Sequence, residues 1–562
     1  MHINENKTKY LTIHLPHCVK SELAKLWPYI TILAILILVT YVKALPGEFL
    51  SDDLSTIVHH PDLGNPRYFT GRPHLILQAF ADWLTYKIFG LNPIAFRGVS
   101  ILLHIGVTSM SFLILTLMMP RTLAFIAASV FAVHPLLSET VIWISARGYL
   151  FLSFFFLLSF YFYLLSSQRQ RYYAYSIFFY ICALLSSEKA FVLFLVFFGF
   201  EFAQGGLRRI WKKILIYPGI SLLWLSVVFG IAGYIRERTS VLTNQHYQNV
   251  DFYNPLIQIP TALTTYLQLF VYPAHLSFYH SDFGLTWNNY IFRIILFSAF
   301  LLVFLIALIK NRPLFFWIGF FFIPLLPTLT PLKIAWVAAE RYTYLGTLGL
   351  VSAVICLIKP IYEKKSLRPL LIILAAIITI LLSTRTVIRT SDWLTADNLW
   401  LATGKTAPSD PKTHNNLGDY YGRHGDLERA ETEFRRAIEL QPNYADALHN
   451  LGNVLYQEHR FDEAERYYHR ALSINPDIWQ SYMALGGIYY QRQNYQQTIE
   501  YLLKTLTYVP DNSNAITALA DAYVKNQQPE NARNAYIKAL QLDPTNRRAQ
   551  QGLYSLIENT GK

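Results

Sequence analysis

The sequence predicts an all-α fold in two parts: a polytopic bundle of membrane-crossing helices over residues 26–385, then an α-solenoid over 411–562. Three observations lead there. The chain is 53% hydrophobic and 15% aromatic but only 15% charged, too apolar for an ordinary soluble domain. Its long apolar runs all fall before Arg385. Beyond that point a pattern of proline, glycine and small residues returns every 34 residues.

Residues 1–25 carry Lys7, Lys9, Lys20 and Lys25, and the apolar run from Leu26 to Leu45 follows. At 1.5 Å per residue that run can cross about 30 Å of hydrocarbon, so it is expected to be a retained anchor with a cytoplasmic N-terminus. Further runs lie at about 94–119, 122–135, 149–167, 172–187, 189–204, 214–234, 290–309, 314–330, 342–358 and 367–384. If each crosses, the connectors bearing Arg121, Arg169, Arg171, Arg208, Arg209, Lys212, Lys213, Lys310, Arg312, Lys364 and Lys365 all fall on the N-terminal side. Eleven crossings then put the C-terminal part on the outer face. The net charge of +12 therefore reads as topology, and no nucleic-acid partner is expected. Segment 260–280 is apolar but broken by Pro260, Pro273, His275 and His280, so it is expected to be re-entrant or interfacial. Cys18, Cys182 and Cys356 suggest neither a disulfide framework nor a CxxC metal site.

The outer connectors hold the chemistry. Asp52 and Asp53 follow the first run directly, where carboxylates need water, a partner or a substrate. In the segment His74 to Phe89, Gln78, Asp82 and Thr85 share one face opposite Leu77, Phe80, Trp83, Leu84 and Ile88, the pattern of a helix lying in the interface. Later outer loops bring His134, Glu139 and Arg147, then Glu188 and Lys189, then Arg236 and Arg238, then Lys333, Glu340 and Arg341. Transfer of a group from a lipid-linked phosphate needs a carboxylate to deprotonate the acceptor and cations to neutralise the departing phosphate. Arg72, Arg147, Arg236 and Arg341 suit the second task because a guanidinium grips phosphate with a planar fork. Plainer roles stand beside these: Glu340 and Arg341 as a structural ion pair, His134 as the cap of the third run. Such an acid-rich site permits a divalent cation without demanding one.

The repeats are the most specific signal. Pro442, Pro476, Pro510 and Pro544 are 34 residues apart, in phase with Leu417-Gly418, Leu451-Gly452, Leu485-Gly486 and Leu519-Ala520. Ala430, Phe434 and Ala437 match Ala464, Tyr468 and Ala471, then Ala532, Tyr536 and Ala539, while the third repeat is looser with Thr498, Leu502 and Thr505. The period is that of tetratricopeptide repeats, expected at 411–444, 445–478, 479–512 and 513–546 with a capping helix near 547–558. Pro408 with Ala396, Trp400 and Thr403 marks a half repeat over 386–410 joining the last crossing to the solenoid.

Several short motifs in order carry a resemblance. Asp52-Asp53, Arg72-Pro73, Phe89-Gly90-Leu91-Asn92-Pro93, Leu102-Leu103-His104, His134-Pro135 with Glu139, and Leu185-Ser186 with Glu188 lie in the first half. Tyr272-Pro273 with Leu276-Ser277, Glu340-Arg341-Tyr342 with Tyr344-Leu345, and Asp392-Trp393 follow. Together they resemble the transmembrane and tetratricopeptide repeat-containing O-mannosyltransferases and their bacterial relatives. The resemblance implies a C-type glycosyltransferase fold, a polyprenyl-phosphate-linked monosaccharide donor, an acceptor on the outer side and inversion at the anomeric carbon. It assigns the catalytic base to Asp52 or Asp53, and Asp52 is favoured. The sequence departs from that family at Leu137, Ser187 and Tyr149, where relatives often carry His, Lys and an acid, which weakens a histidine-bound metal and leaves the sugar open.

Three functions compete: a membrane glycosyltransferase acting on a protein Ser/Thr hydroxyl, a non-catalytic scaffold whose repeats gather proteins, and a lipid or polysaccharide ligase or carrier. A scaffold has no need of acids and arginines in several separate loops, and a carrier places its ionisable groups inside its spans. The glycosyltransferase is preferred, with a protein or peptide at the repeats and membrane lipid around the bundle. The lone Asn-x-Thr sequon, Asn6-Lys7-Thr8, lies on the inner side, which favours a bacterial inner membrane with periplasmic repeats over the endoplasmic reticulum.

Overall fold

A computed structural model describes residues 11–13, 15, 19–231, 254–281, 283, 286–329 and 336–560. Among them every element is helical, apart from one isolated β-bridge between His280 and Ala338. The chain divides into two compact units, Met1–Ala407 and Pro408–Lys562.

The first unit contains α1 (Val19–Tyr41), α2 (Ile76–Phe89), α3 (Pro93–Thr116), α4 (Arg121–Val133), α5 (Ser138–Ile142), α6 (Gly148–Leu165), α7 (Gln170–Leu184) and α8 (Phe194–Gln204). After α9 (Leu207–Ile214) and α10 (Ile216–Leu225) come α11 (Pro255–Val271), α12 (Trp287–Lys310), α13 (Arg312–Phe322), α14 (Tyr344–Tyr362), α15 (Arg368–Ser391) and α16 (Ala396–Thr406). Seven helices among the described residues are long and apolar enough to cross a membrane, or eight if α4 and the helices after Pro135, bent by 53°, count as one. The expectation of eleven crossings also counts α7, α8 and α13, which are 15, 11 and 11 residues long. Segment 260–280 comprises most of α11 and a loop that turns back to meet Glu340 through Ser277 and His280.

Helix packing here exploits small residues. On α14 a Cβ at Gly349 would stand 2.6 Å from the Phe321 nitrogen and 2.7 Å from the Trp317 oxygen of α13. The two backbones touch there, as membrane helices do where small residues permit it. Helix α2 is inverted relative to a soluble amphipathic helix. Its polar residues Asp82 and Thr85 are buried, while Phe80, Leu84 and Ile88 are exposed. An apolar outer face suits lipid, and the polar inner face supplies a wall of the site below.

The second unit pairs α17 (Pro411–Arg423) with α18 (Leu427–Leu440), α19 (Ala445–Gln457) with α20 (Phe461–Ile474), α21 (Trp479–Gln491) with α22 (Tyr495–Tyr508), and α23 (Ser513–Lys525) with α24 (Pro529–Leu542). Helix α25 (Arg547–Thr560) closes the stack. Within each pair the glycine or alanine of the first helix meets the bulky residue of the second. A Cβ on Gly452 would lie 2.6 Å from the Tyr468 ring, and one on Gly418 2.7 Å from that of Phe434. This contact explains why small and bulky positions share the 34-residue phase.

The turns between paired helices share one backbone device. Gly425, His459, Gln493 and Gln527, again 34 residues apart, all take positive φ of 78°, 62°, 59° and 57°. In each turn the next N–H donates back five residues, as from Arg460 to the Leu455 carbonyl at 2.9 Å and from Asn494 to that of Tyr489 at 2.9 Å. Only the first repeat uses glycine, so the other three hold a left-handed residue that bears a Cβ, costing roughly 1–2 kcal/mol each. Gln493→Gly should therefore raise the stability of the repeat unit by about 0.5–1 kcal/mol after the added freedom of the unfolded chain is deducted, read as a higher midpoint in thermal unfolding. A lower midpoint would show that the Gln493 side chain contributes more than its backbone strain removes.

Candidate active site

The acid loop begins where α1 ends. A 3-10 turn at Val42–Ala44 leads into Leu45–Leu50, Ser51 takes a φ of +51°, and a π-helical turn at Leu54–Val58 follows with Asp53 at its N-cap. This geometry separates the two acids, leaving Asp52 exposed and Asp53 buried. The Asp53 carboxylate accepts the Leu50 N–H at 3.1 Å and both the N–H and the hydroxyl of Ser145, at 2.8 and 2.5 Å. Burial pushes its pKa up to about 6, against the opposing pull of those hydrogen bonds and of Arg97. The Asp52 carbonyl accepts the hydroxyls of Thr56 and Ser55 at 2.6 and 3.2 Å, which fixes the backbone beneath its exposed side chain.

Arg97 holds the loop from below. It lies on α3, is fully buried, and donates from its two Nη atoms to the Gly47 and Glu48 carbonyls and from Nε to the Ile142 carbonyl at 3.3 Å. The loop is also pressed against the chain after α15. The Glu48 N–H donates to the Leu394 carbonyl at 2.8 Å, and a Cβ on Gly47 would stand 2.9 Å from the Trp393 oxygen. Arg97 was not among the residues singled out above, although an arginine inside an apolar run is itself a signal.

Around the loop stand three buried charge groups. Arg147, on the 3-10 turn Ile144–Arg147, pairs with Asp82 of α2 at 2.9 Å, and both side chains are buried. Burial raises the Asp82 pKa, while Arg147 and then Arg72 lower it. Arg72 itself is half-buried, 4.4 Å above the Tyr68 ring. In the second group Glu139 of α5 accepts the Arg341 N–H at 2.9 Å and pairs with its guanidinium, which lies over the rings of Trp143 and Tyr342 at 5.1 and 5.2 Å. The third centres on Glu340, which accepts the Ser277 N–H at 2.7 Å and stands 3.3 Å from His280 Nε2 and 3.6 Å from Arg389. Glu340 and Arg341, adjacent in sequence, thus each pair elsewhere.

Glu188 and Lys189 open a 3-10 turn whose N-cap is Ser187. Lys189 bonds the Tyr149 hydroxyl and lies 4.3 and 4.9 Å from the centres of the Tyr149 and Tyr342 rings. Beside it is a cavity of about 170 Å³ lined by His74, Gln78, Ser145, Tyr149, Glu188 and Lys189 among others. Ser145 is the hinge of the arrangement, since it lines the cavity and also binds Asp53. Gly148 keeps the wall thin: a Cβ there would meet Gln78 Oε1 at 2.7 Å.

The structure thus gathers Asp52, Asp53, Arg72, Arg147, Glu188, Lys189, Glu139 and Arg341 through shared partners. His134 serves elsewhere. It is buried, caps the turn Pro135–Leu137, contacts the Phe270 carbonyl through Nε2 at 3.0 Å and stacks on the Phe270 ring, joining α4 to α11. Arg236, Arg238 and Lys333 lie outside the described residues. Among the described residues no group of three His, Cys, Asp or Glu side chains is placed to hold a metal ion. Besides Arg97, sequence reasoning passed over Ser145, Tyr149 as a partner of Lys189, and Arg389.

The Asp53 carboxyl gives a test of this geometry. Its pKa in the fold is raised from 3.8 to about 6, so the stability tied to its neutral form is complete below about 4 and is lost as pH rises through 6. Relative to Asp53→Asn, which does not titrate, the wild type should lose about 3 kcal/mol of stability between pH 3.5 and 7. Thermal unfolding of both proteins across that range checks it, and a constant difference would mean that the Asp53 carboxyl has the same pKa in the folded and unfolded chain.

Comparison with known proteins adds independent information. Tetratricopeptide repeat models match residues 423–459, 445–478 and 489–557. The chain is 25% identical over 461 aligned positions to a protein O-mannosyl-transferase of Caenorhabditis elegans, covering 74% of this chain and 63% of that protein. It is 34% identical over 127 residues to protein O-mannosyl-transferase TMTC1 of Homo sapiens, covering 19% of this chain and 14% of that one. Among solved structures, a crystal structure of MamA protein is 22% identical with a TM-score of 0.24, covering 26% of this chain and 81% of that one. The chain therefore spans less than two thirds of the length of these transferase relatives. The alignment with the Caenorhabditis elegans protein is more than twice as long as the repeat unit, so it takes in much of the membrane unit as well. The chain is a multi-pass membrane protein and a relative of the tetratricopeptide repeat-bearing protein O-mannosyl-transferases.

Proposed function

We propose that the protein is an integral membrane glycosyltransferase of C-type architecture. It moves a monosaccharide, mannose by analogy with its relatives, from a polyprenyl-phosphate carrier to a Ser or Thr hydroxyl of a protein acceptor on the extracytoplasmic side. One observation carries the reading: an exposed Asp52 stands on a loop immobilised by its neighbour Asp53, and Asp53 shares Ser145 with a cavity bearing a lysine. The names of the relatives supply the reaction class.

In the proposed step the Asp52 carboxylate takes the proton of the acceptor hydroxyl, and that oxygen forms a bond to the anomeric carbon. The bond from that carbon to the phosphate oxygen breaks on the opposite side, inverting the centre, and polyprenyl phosphate leaves with the electron pair. We assign the neutralisation of the leaving phosphate to Lys189 and Arg72, with Arg341 behind them. Arg147, balanced by Asp82, is assigned to positioning the turn that carries Ser145. The repeat unit has its own cavity of about 650 Å³, lined by His449, Asn453, Tyr456, Tyr490, Gln491 and others, and we give it the binding of the protein acceptor or a protein partner. The proposed topology has eleven crossings with the repeats in the periplasm of a bacterium.

The test is transfer of labelled sugar from a panel of polyprenyl-phosphate monosaccharides to envelope protein by the purified full chain. Asp52→Asn should lower transfer by a factor of about 100 or more without moving the unfolding midpoint, as expected for loss of a general base. Full activity in Asp52→Asn together with loss in Glu188→Gln would move the base to the cavity wall. If no donor supports transfer and Asp52→Asn complements a deletion strain, the repeats act as a scaffold.

A further inference from the structure

Helix α12 carries a charge inside its apolar stretch, Arg293, that the acid-loop site does not use. Its surface is apolar and open, with Ile291, Phe292, Ile295, Leu302 and Ile306 all exposed, so in a membrane it faces lipid. Trp287 and Tyr290 mark its start in the way aromatic residues mark a membrane interface. Arg293 follows Trp287 by six residues, about 9 Å further along the helix at 1.5 Å per residue. A guanidinium at that depth on a lipid-facing helix is costly without an anionic partner, and among the described residues no carboxylate pairs with it.

Part of the guanidinium is anchored by α11. Nη1 donates to Thr264 Oγ1 and Thr265 Oγ1, each at 3.0 Å, and to the Thr261 carbonyl at 3.4 Å, while Nη2 reaches the Phe283 carbonyl at 3.3 Å. Nε is buried without a hydrogen-bond partner among the described residues. Among the described residues all of these acceptors are neutral, and they orient the group without an opposite charge. Beside it lies a cavity of about 450 Å³ with Phe283, Phe292 and Leu296 as apolar walls and Gln268, Asn289 and Thr264 as polar ones. Tyr266, on the other side of α11, accepts the Ala339 N–H, so α11 stands between this cavity and the Arg341 group.

We infer that Arg293 and its cavity form a binding site for a membrane lipid through its phosphate, separate from the transfer site. The phosphate sits against the guanidinium with Gln268 and Asn289 as further donors, and the acyl chains run down the exposed Phe292, Ile295 and Leu302 column. Charge balance, the depth of Arg293 and the apolar surface below it all favour a lipid over a soluble anion.

Native mass spectrometry of the full chain in detergent, titrated with phosphatidylglycerol, tests this. The wild type should retain one more phosphatidylglycerol than Arg293→Gln, with at least a tenfold weaker affinity in the variant, and should not retain diacylglycerol, which lacks the phosphate. Gln268→Glu keeps Arg293 and its threonine contacts but places a competing carboxylate in the cavity, and it should lose the same lipid. Equal retention by wild type and both variants, or equal retention of diacylglycerol, would overturn the site. Displacement of the lipid by millimolar inorganic phosphate would overturn the lipid assignment in favour of a soluble anion.

Discussion

Arg97 is the interaction on which the rest of the site depends. A guanidinium enclosed by an apolar helix bundle must have its donors satisfied, and here the acceptors are the backbone carbonyls of Gly47, Glu48 and Ile142. That requirement joins three stretches distant in sequence: the loop after α1, the helix α3 and the end of α5. With the loop pinned, Asp53 falls within reach of Ser145, and its buried carboxylate in turn fixes the start of the 3-10 turn that ends in Arg147. Asp52 lies at the surface beside Asp53, its backbone carbonyl accepting the hydroxyls of Ser55 and Thr56.

The same logic extends outward. Asp82 with Arg147, Glu139 with Arg341, and Glu340 with Arg389 are charges kept mostly dry, each facing an opposite charge. Buried pairs of this kind contribute little net stability, but removing one partner strands the other. They therefore act chiefly to fix geometry. Helix α2 fits this pattern: its polar face is directed inward because Asp82 belongs to the charge system, and its apolar face is left for lipid.

Much of the fold was legible because its periods are strict. The 34-residue phase gives every helix pair of the solenoid, since each repeat must place a small residue opposite a ring, as at Gly452 and Tyr468. What the phase conceals is the left-handed turn residue, because His459, Gln493 and Gln527 carry no glycine to mark it. In the membrane unit Asp52 and Asp53 stood out by position, but nothing in their sequence distinguishes the exposed acid from the buried one. That difference arises from Ser145, 92 residues away. Partner choice was likewise hidden: Glu340 and Arg341 are neighbours in sequence, and only the tertiary fold sends one to Arg389 and the other to Glu139. Arg97 could have been found from sequence, as a cation inside an apolar run.

Buried Arg97 holds the acid loop in the conformation that exposes Asp52. Hydrogen–deuterium exchange of the purified full chain tests this, comparing wild type with Arg97→Met over residues 47–59. The N–H groups of Glu48, Asp53, Leu54 and His59 are hydrogen-bonded within or beside this loop, so the wild type should protect them. In Arg97→Met that protection should fall by a factor of about ten or more, while helix α14 keeps its own. Unchanged exchange in the loop would contradict this, showing that Asp53 with Ser145 and Glu48 with Leu394 hold the loop without Arg97.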